Sequence, residues 1–586
     1  MIMKHKRTIS LLLVALMALG MLSGCDNPQT QVTDSTQETT QTTENANAAE
    51  VLSAEEDARL KEELQKDIDA ILNTETEIVY SDTYIPGETY TGTAYYVSTD
   101  GNDNNDGLSP ETAWQSAAKV GRESMEGGVL QFGDAVFFRR GDIFRSFDFD
   151  AGTTPFTCRI DGVTYSAYGE GEKPIITSSP ENGVGAEKWQ LVYEDESGTK
   201  IWQFYNPLTD IAMVVCDDDV VAERIYEYAL CSGDNPDDCY YESCTLDYWW
   251  MHEDGGVELL GELLPLEKTL TEDLSFVSRP ECFNDTDYVS ADKPGPLYLR
   301  CDAGNPGELF ASIEFSGFEV YGLISLEAND IVFDNLSLKY TGISYIKNWY
   351  HWKAYQNTVI QNCEFAYGGG SVAFYPVTDN GARIIGTMGD GIYCVVRNAT
   401  IRNNYFHDST APAAVYEASN FEITEPAQDL GYYHILNNVV VNCMGVRLDP
   451  SFDPELQQLD SVIIRDNQIW NTGRMDKGKY AYSEGSLVLM PNHYRECVIE
   501  DNVFYGTENG HAMNALLDIF LYDFEDAGYT RPQLQNNTYV QYAGRNFGDF
   551  IMQGSETWAM DDPKLLKKAE DLLGDTTSRF YVIPTE

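Results

Sequence analysis

Three carboxyl side chains in the second half of the chain sit in contexts suited to acid–base work. They are Asp390 within Gly389-Asp390-Gly391, Asp408 beside His407, and Glu417 just after Val415. Cleaving a glycosidic bond takes two such groups, one on either side of it. Neighbouring parallel strands lie about 4.8 Å apart. Carboxylates on adjacent strands would therefore stand near the ~5 Å separation of retaining enzymes, and those two strands apart near the wider inverting spacing. Asp390 has a bland alternative as a turn acid capping backbone amides, and so does Asp408. Asp449, Asp453 and Asp460 offer a more distant acid but read better as solvated loop charge.

With Ile392, Val415 and Val446 facing inward, alternation turns Tyr393, Tyr416 and Arg447 outward as a row. Two aromatic faces and a cation would make a sugar platform. Trp349, His351, Trp352, His407 and His493 are further candidate substrate contacts, with loop packing as the alternative. Proton abstraction beside a uronate carboxylate would instead need a base, with Ca2+ or Arg steadying the anion. Lys347, Lys353, Arg383 and Arg474 are available for it, in no telling arrangement. The loop from Asp100 to Gly107, with Asp100, Asp103 and Asp106, carries oxygen ligands of the Ca2+ type but lacks the downstream acid of an EF-hand loop. Hydrolysis by two carboxylates requires no cofactor.

What positions these groups is a repeated phrase: apolar, any residue, Asn or Asp, two residues, then apolar or aromatic. It occurs at Phe333 to Leu338, Ile360 to Phe365, Ile401 to Phe406, Ile435 to Val440, Ile464 to Ile469, Ile499 to Phe504 and Leu534 to Tyr539. Its third residues are Asn335, Asn362, Asn403, Asn437, Asp466, Asp501 and Asn536. Self-similarity at a few tens of residues marks a solenoid, and period-two apolar runs ending in polar turns mark short strands. The expected fold is all-β: a right-handed parallel β-helix with the Asn side chains laddered at one turn. A second apolar series at Ile343, Val372, Ile392, Val415, Val446 and Leu487 places two members in the long gap between Asn362 and Asn403. That gap is expected to hold two short coils, for about eight in all.

The formal net charge is −56, from 94 acidic and 38 basic residues, which excludes nucleic acid as a natural partner. The chain carries 37 Tyr and 9 Trp, which suits stacking on sugar rings as well as core filling. Lys4, Lys6 and Arg7 precede an apolar run from Ile9 to Leu22, a secretory signal. Leu22-Ser23-Gly24-Cys25 then resembles a bacterial lipobox, which implies lipid on Cys25 and anchoring to the outer face of a bacterial membrane. Cys231, Cys239, Cys244 and Cys282 cluster in one stretch where disulfides could form, in no pairing the sequence reveals.

The expected organisation is a signal peptide over 1–24, a Thr/Gln/Asn-rich disordered tether over 25–50 and an amphipathic helix over 51–75. A cap helix capped by Ser109 and running to about Glu126 belongs with the first coils in 93–180. An inserted β-rich subdomain follows over 181–319, the main stack over 320–545, and a C-terminal segment over 546–586 with a helix between Asp562 and Gly574. The stretch Tyr95-Tyr96-Val97-Ser98-Thr99-Asp100-Gly101 through Ser109-Pro110, with Gly133-Asp134, Arg139 to Asp142 and Tyr165 to Ile176, resembles secreted bacterial β-helix proteins of the pectate-lyase-like superfamily. That resemblance spans roughly residues 93 to 545 and implies polysaccharide lyases, epimerases or glycosidases, some with an embedded β-sandwich. Neither the Asn-Thr-Asp, Asp-Asp and Gly-His-Gly set of polygalacturonases nor the Trp-Ile-Asp-His signature of many pectate lyases is found, so no catalytic residue carries over. The expectation is a monomeric glycoside hydrolase on a polysaccharide or oligosaccharide. The alternatives are a polysaccharide lyase and a non-catalytic glycan-binding surface protein.

Overall fold

The computed structural model describes residues 47–585 except 146–155, 206–210, 226–248, 252–256, 260–264, 280–294, 318–322, 343, 348–354, 370–371, 376–382, 387–391, 394–395, 410–413, 418–427, 430, 444, 450–456, 473–485, 490–493, 508–514, 520–530 and 551–556. The signal, Cys25 and nearly all of the tether lie outside the described residues.

The protein is predominantly β, built on three large sheets whose long-range pairings are parallel. The chain visits them in rotation. Tyr355–Gln361 lies in the first sheet, Glu364–Gly368 in the second, Ile392–Tyr393 in the third, and Val396–Arg402 is back in the first beside Tyr355–Gln361. The repeated phrase is the corner between the first two sheets. Its opening apolar residue (Phe333, Ile360, Ile401, Ile435, Ile464, Ile499, Leu534) is buried from the first sheet. Its closing residue (Leu338, Phe365, Phe406, Val440, Ile469, Phe504, Tyr539) is buried from the second. Like residues stack on like, as in the Phe365–Phe406 pair with centroids 4.6 Å apart.

The seven Asn and Asp residues at the corner all have φ between 51 and 58°. This left-handed conformation is one that Asn and Asp tolerate better than other side chains. Part of this series is laddered as expected, Asn437 Nδ2 donating to Asn403 Oδ1 at 2.7 Å and Asn403 Nδ2 to Asn362 Oδ1 at 3.4 Å, and a second, buried amide ladder runs one residue later. Asn404, Asn438, Asn467, Asn502 and Asn537 are the rungs, each 0 or 1% exposed. Asn438 Nδ2 donates to Asn467 Oδ1 at 3.1 Å and to the Ile401 carbonyl at 2.9 Å, while its own Oδ1 accepts from the Asn404 backbone and side chain at 3.0 Å. Alternation explains the second ladder: the αL residue turns the chain, and the residue after it points inward, where asparagine supplies both donor and acceptor at five corners and Leu336 and Cys363 fill the place at the other two.

Two further expectations change. The gap between Asn362 and Asn403 holds one circuit, because Tyr355–Gln361 pairs directly with Val396–Arg402 and Glu364–Gly368 with Tyr405–His407. Val372 belongs to an antiparallel hairpin, Val372–Tyr375 with Arg383–Gly386, that the circuit extrudes. The helix capped by Ser109 also stops early, as the 3-10 turn Pro110–Thr112. Trp114 then bridges to Val97 and stacks on Tyr95 at 4.9 Å before Ser116 caps a new helix, Ala117–Glu123. Burying Trp114 outweighs the hydrogen bonds of one continuous helix.

The Ala54–Leu72 helix starts at Ser53, whose side chain accepts from the Glu56 N–H. Leu60 and Leu64 pack on Trp470, Tyr505 and Val540, residues on the outward face of the second sheet. Glu50–Val51 just before it is the edge strand of that sheet and pairs with Arg579–Ile583. Between Ile175–Thr177 and Ile324–Leu326 the chain leaves the rotation. It builds a five-stranded and a three-stranded sheet around Trp189, Phe204, Val214, Phe276 and Phe315. Met213 and Val215 of this insertion pack on Tyr340, Ala366 and Tyr367 of the second sheet. Near the C-terminus Leu565, Ala569 and Leu573 bury against the stack, and Gly574 at φ 69° ends the helical run.

The two neighbouring asparagines of one corner separate turn from ladder. Asn438→Ala removes a buried rung and is expected to cost about 3 kcal/mol. Asn437→Gly keeps the αL geometry and should change stability by less than about 0.5 kcal/mol. Guanidinium unfolding of both variants checks this, and equal losses would show that the ladder has been misplaced.

Candidate active site

The third sheet carries four of the sequence candidates, Tyr393, Tyr416, Glu417 and Arg447, and here the pairing register matters most. Asp390, Trp349, His351, Trp352 and His493 lie outside the described residues. For Lys347, Ile392–Tyr393, Ala414–Glu417 and Asp449 the description extends to backbone and pairing only. Tyr393 pairs with Val415 and Val415 with Arg447, while Tyr416 pairs with Leu448 and Glu417 with Asp449. Val446, Leu448, Leu487 and Leu489 are buried, whereas Arg447 and Asp518 are half-buried, so the row through Arg447 is the outward one. The pairing puts Tyr393 and Arg447 in register with Val415, and Tyr416 with Leu448, so Tyr393, Tyr416 and Arg447 are not direct partners along one line of the register.

The corrected register makes Glu417 and Asp449 direct partners on adjacent strands, a spacing of about 4.8 Å between strands. Arg447 lies two residues before Asp449 on the same row. Sequence reading had set Asp449 aside as loop charge. Aligning Ala414-Val415-Tyr416-Glu417 with Val446-Arg447-Leu448-Asp449 would have exposed the pair.

Asp408 and His407 sit elsewhere, in a buried charge network on the outward face of the second sheet. His407 Nδ1 contacts Asp408 Oδ2 at 2.9 Å, and Nε2 contacts Glu364 Oε1 at 3.1 Å. Lys339 Nζ reaches the same Glu364 oxygen at 3.1 Å and Asp218 Oδ2 of the insertion at 2.9 Å. Ser337 Oγ donates to Glu364 Oε2 at 2.7 Å. Tyr340 Oη donates to Asp218 Oδ1 at 2.5 Å, and Tyr367 Oη to the Asp218 carbonyl at 2.6 Å. Asn442 Nδ2 closes the far end on Asp408 Oδ1 at 2.8 Å.

Burial alone would raise the Glu364 pKa, but Lys339 and the His407 and Ser337 hydrogen bonds outweigh it and hold the carboxyl well below its usual range. Burial alone would lower His407, yet its bonds to Asp408 and Glu364 raise it. Burial works likewise against Lys339, and Glu364 and Asp218 more than offset it. A glutamate kept ionised between two cations is a poor proton donor, so this network fits orientation better than acid catalysis. Lys339, Glu364 and Asp218 were missed by sequence reading. Repeat alignment places Ser337, Glu364 and Tyr405 in one row and Lys339, Ala366 and His407 in the next, which was a usable signal for the first two.

In the Asp100 to Gly107 loop the carboxylates bond within the protein. Asp103 accepts from the Gln115 and Ser116 N–H groups at 2.8 and 3.0 Å, Asp106 from Thr112 Oγ1 at 2.7 Å, and Asp100 from Arg139 at 2.8 Å. Among the described residues no group of three or more His, Cys, Asp or Glu is arranged to hold a metal ion.

The network gives stability a pH dependence with two limbs. Glu364 is depressed in the fold, so its contribution is present above its unfolded value near 4.5 and lost as pH falls. His407 is raised, so its contribution is complete below 6.5 and lost as pH rises through the folded value. His407→Gln should remove the second limb, so its melting temperature should fall less than the wild type's between about pH 6.5 and 9. Parallel Tm–pH curves for the two proteins would refute this coupling.

No family model matches the chain, and no curated protein matches it. Solved structures similar to it include a GH136 lacto-N-biosidase from Eubacterium ramulus, at 12% identity over 84% of this chain and 67% of that one, TM-score 0.33. A structure titled glycoside hydrolase is 10% identical over 78% and 95%, TM-score 0.37. A rhamnogalacturonan lyase is 10% identical over 77% and 75%, TM-score 0.28. At these scores the likenesses carry no argument about fold or activity.

Proposed function

We propose that the three sheets are the walls of a right-handed parallel β-helix and that the protein is a carbohydrate-active enzyme, a glycoside hydrolase acting on a polysaccharide or oligosaccharide. The observation that carries this reading is the register that pairs Glu417 with Asp449 on neighbouring strands of the third sheet. Carboxyl groups on neighbouring strands fall near the ~5 Å spacing at which one attacks the anomeric carbon while the other protonates the leaving oxygen. A water then displaces the glycosyl group from the first carboxylate, giving up its proton to the second. The product keeps the anomeric configuration of the substrate. Arg447 on the same row supplies a cation beside the departing or attacking oxygens. No cofactor is needed for this sequence of steps. The lipobox-like Leu22-Ser23-Gly24-Cys25 supports display of the enzyme on the outer face of a bacterial membrane.

A second reading, β-elimination on a uronate polymer, is favoured by Lys347 and Arg447 standing on that row. Its product would absorb in the ultraviolet, and a hydrolase's would not.

The test is a panel of polysaccharides and 4-methylumbelliferyl glycosides incubated with the chain lacking residues 1–46. Products would be analysed by mass and absorbance, and their anomeric form by NMR. Glu417→Gln and Asp449→Asn should each lower kcat on the best substrate by at least about 100-fold without shifting the melting temperature. Full activity in both variants would dismiss the pair, and glycan retention without any product would point to a binding protein.

A further inference from the structure

The outward face of the first sheet changes character along the stack. One row on it runs in direct register from Asp334 through Gln361, Arg402 and Leu436 to Arg465 and Glu500. At its start this row is covered by the chain itself. The segment between the Ala54–Leu72 helix and the Ala94–Val97 strand crosses there as a strap. Asn335 Nδ2 donates to the Glu75 carbonyl at 3.1 Å, Tyr84 Oη to the Asp330 carbonyl at 2.6 Å, and Gln361 Nε2 to the Gly87 carbonyl at 2.9 Å. Asp334 and Gln361 are accordingly buried, at 1 and 5% exposure. Gly87 lies so close that an added Cβ would stand 3.0 Å from Gln361 Oε1 and 3.3 Å from Arg402 Nη2.

Farther along, the same face is open. Tyr432 and His434 are half-buried and alternate with buried Tyr433 and Ile435, and their rings stack with centroids 4.4 Å apart at 29°. Tyr432 registers with Ser461, and Ser461 with Glu496, which is exposed. His434 Nε2 lies 3.4 Å from Ser461 Oγ, which donates to Glu496 Oε2 at 3.2 Å. Two residues farther along its strand than Ile463, Arg465 reaches Glu500 Oε1 through Nη1 at 3.3 Å. Between the two polar lines runs an apolar one, where His434 registers with Ile463 and Ile463 with Val498, both half-buried. Burial, and after it Arg465, lower the His434 pKa, so the ring is uncharged at neutral pH. Each of these side chains stands on a strand, which holds geometry more firmly than a loop does.

We infer that this open end of the first sheet is a carbohydrate-binding surface, distinct from the proposed carboxyl pair, that takes an uncharged stretch of polysaccharide. It rests on the carbohydrate reading above, though not on the assignment of Glu417 and Asp449. A sugar ring offers C–H faces and a rim of hydroxyls. The C–H faces match Tyr432 and the Ile463–Val498 line, while the hydroxyls donate to Glu496 and Glu500 and accept from Arg465. The Ser461–Glu496 bond is exposed, so a sugar hydroxyl can take its place. A uronate would bring its own negative charge up to two glutamates, on a chain whose net charge is −56. The strap sets where the surface begins, because upstream of it the row is already bonded to backbone carbonyls. Holding a long chain on one sheet raises its effective concentration at a cleavage site on another.

The test is affinity electrophoresis of the folded chain from residue 47 in native gels containing arabinoxylan, galactomannan or polygalacturonate. Tyr432→Ala and Glu496→Ala run beside the wild type. At least one uncharged polymer should retard the wild type, and each variant should raise that Kd about tenfold. Turnover of a short 4-methylumbelliferyl glycoside should stay unchanged in both. Glu496 is exposed, so its variant keeps the test valid should Tyr432→Ala fail to fold. A wild type that no polymer retards, or variants retarded as strongly as the wild type, would overturn the surface, while cleavage in the glycan panel would leave the carbohydrate reading standing. Retardation by polygalacturonate alone would overturn the uncharged ligand. Neither retardation nor cleavage of any glycan would remove the surface and the carbohydrate reading together.

Discussion

The structure depends on one repeated constraint: a parallel stack has to turn a corner at every circuit without stranding a buried backbone group. Five of these corners answer it with two adjacent residues of different duty, while Leu336 and Cys363 fill the inward place behind Asn335 and Asn362. Asn or Asp takes the left-handed conformation that bends the chain, and the asparagine behind it turns inward to bond the circuits on either side. Asn404, Asn438, Asn467, Asn502 and Asn537 thereby satisfy one another and the carbonyls around them. A buried amide with any partner removed costs roughly 1–3 kcal/mol, which makes the ladder strict about register. That strictness is what lets Phe stack on Phe and one carboxyl residue face another, circuit after circuit.

The same rigidity makes charge useful where it would otherwise be expensive. Lys339 and Glu364 are buried on a sheet face that water would normally cover, and each is matched by neighbours whose positions the ladder fixes. The insertion takes advantage of this. It docks Met213 and Val215 on Tyr340 and Tyr367, then sets Asp218 against Lys339. Arg145 meets Glu314 at 2.5 Å from the other side. Apolar packing supplies the bulk of the attachment, and the paired charges specify its position. Elsewhere on that face the Ala54–Leu72 helix covers Trp470 and Tyr505, with Asp57 accepting from Tyr505 Oη at 2.8 Å.

Much of the all-β, parallel-sheet architecture could be read from the sequence, because it is written in local terms. A period-two apolar run, an Asn tolerant of positive φ and an aromatic two residues past the ladder position recur in one short window. The second, buried ladder could not be read, since in Asn403-Asn404 and Asn437-Asn438 side-chain direction is a property of the folded corner. In the third sheet Val415 and Tyr416 are both acceptable in a core, so the sequence does not show that the register pairs Glu417 with Asp449. The Asp218–Lys339 contact joins residues 121 positions apart, and no local pattern reports it.

Which face can meet a long substrate follows from what already occupies the others. The second sheet is covered along its outward side, by the insertion over Tyr340 and Tyr367 and by the N-terminal helix over Trp470, Tyr505 and Val540. Its ionisable groups bond one another, so a sugar arriving there would have to displace protein from buried partners. On the third sheet the outward row alternates cleanly with buried neighbours, Arg447 and Asp518 against Leu448, Leu487 and Leu517. On a chain with 94 acidic and 38 basic residues, an arginine set beside a carboxyl pair departs from the average field of the surface. Double displacement at an acetal needs two acids on neighbouring strands, and under the proposed reading the register that pairs residue 417 with residue 449 makes the third sheet, and not the covered second one, the face where a sugar chain would meet them.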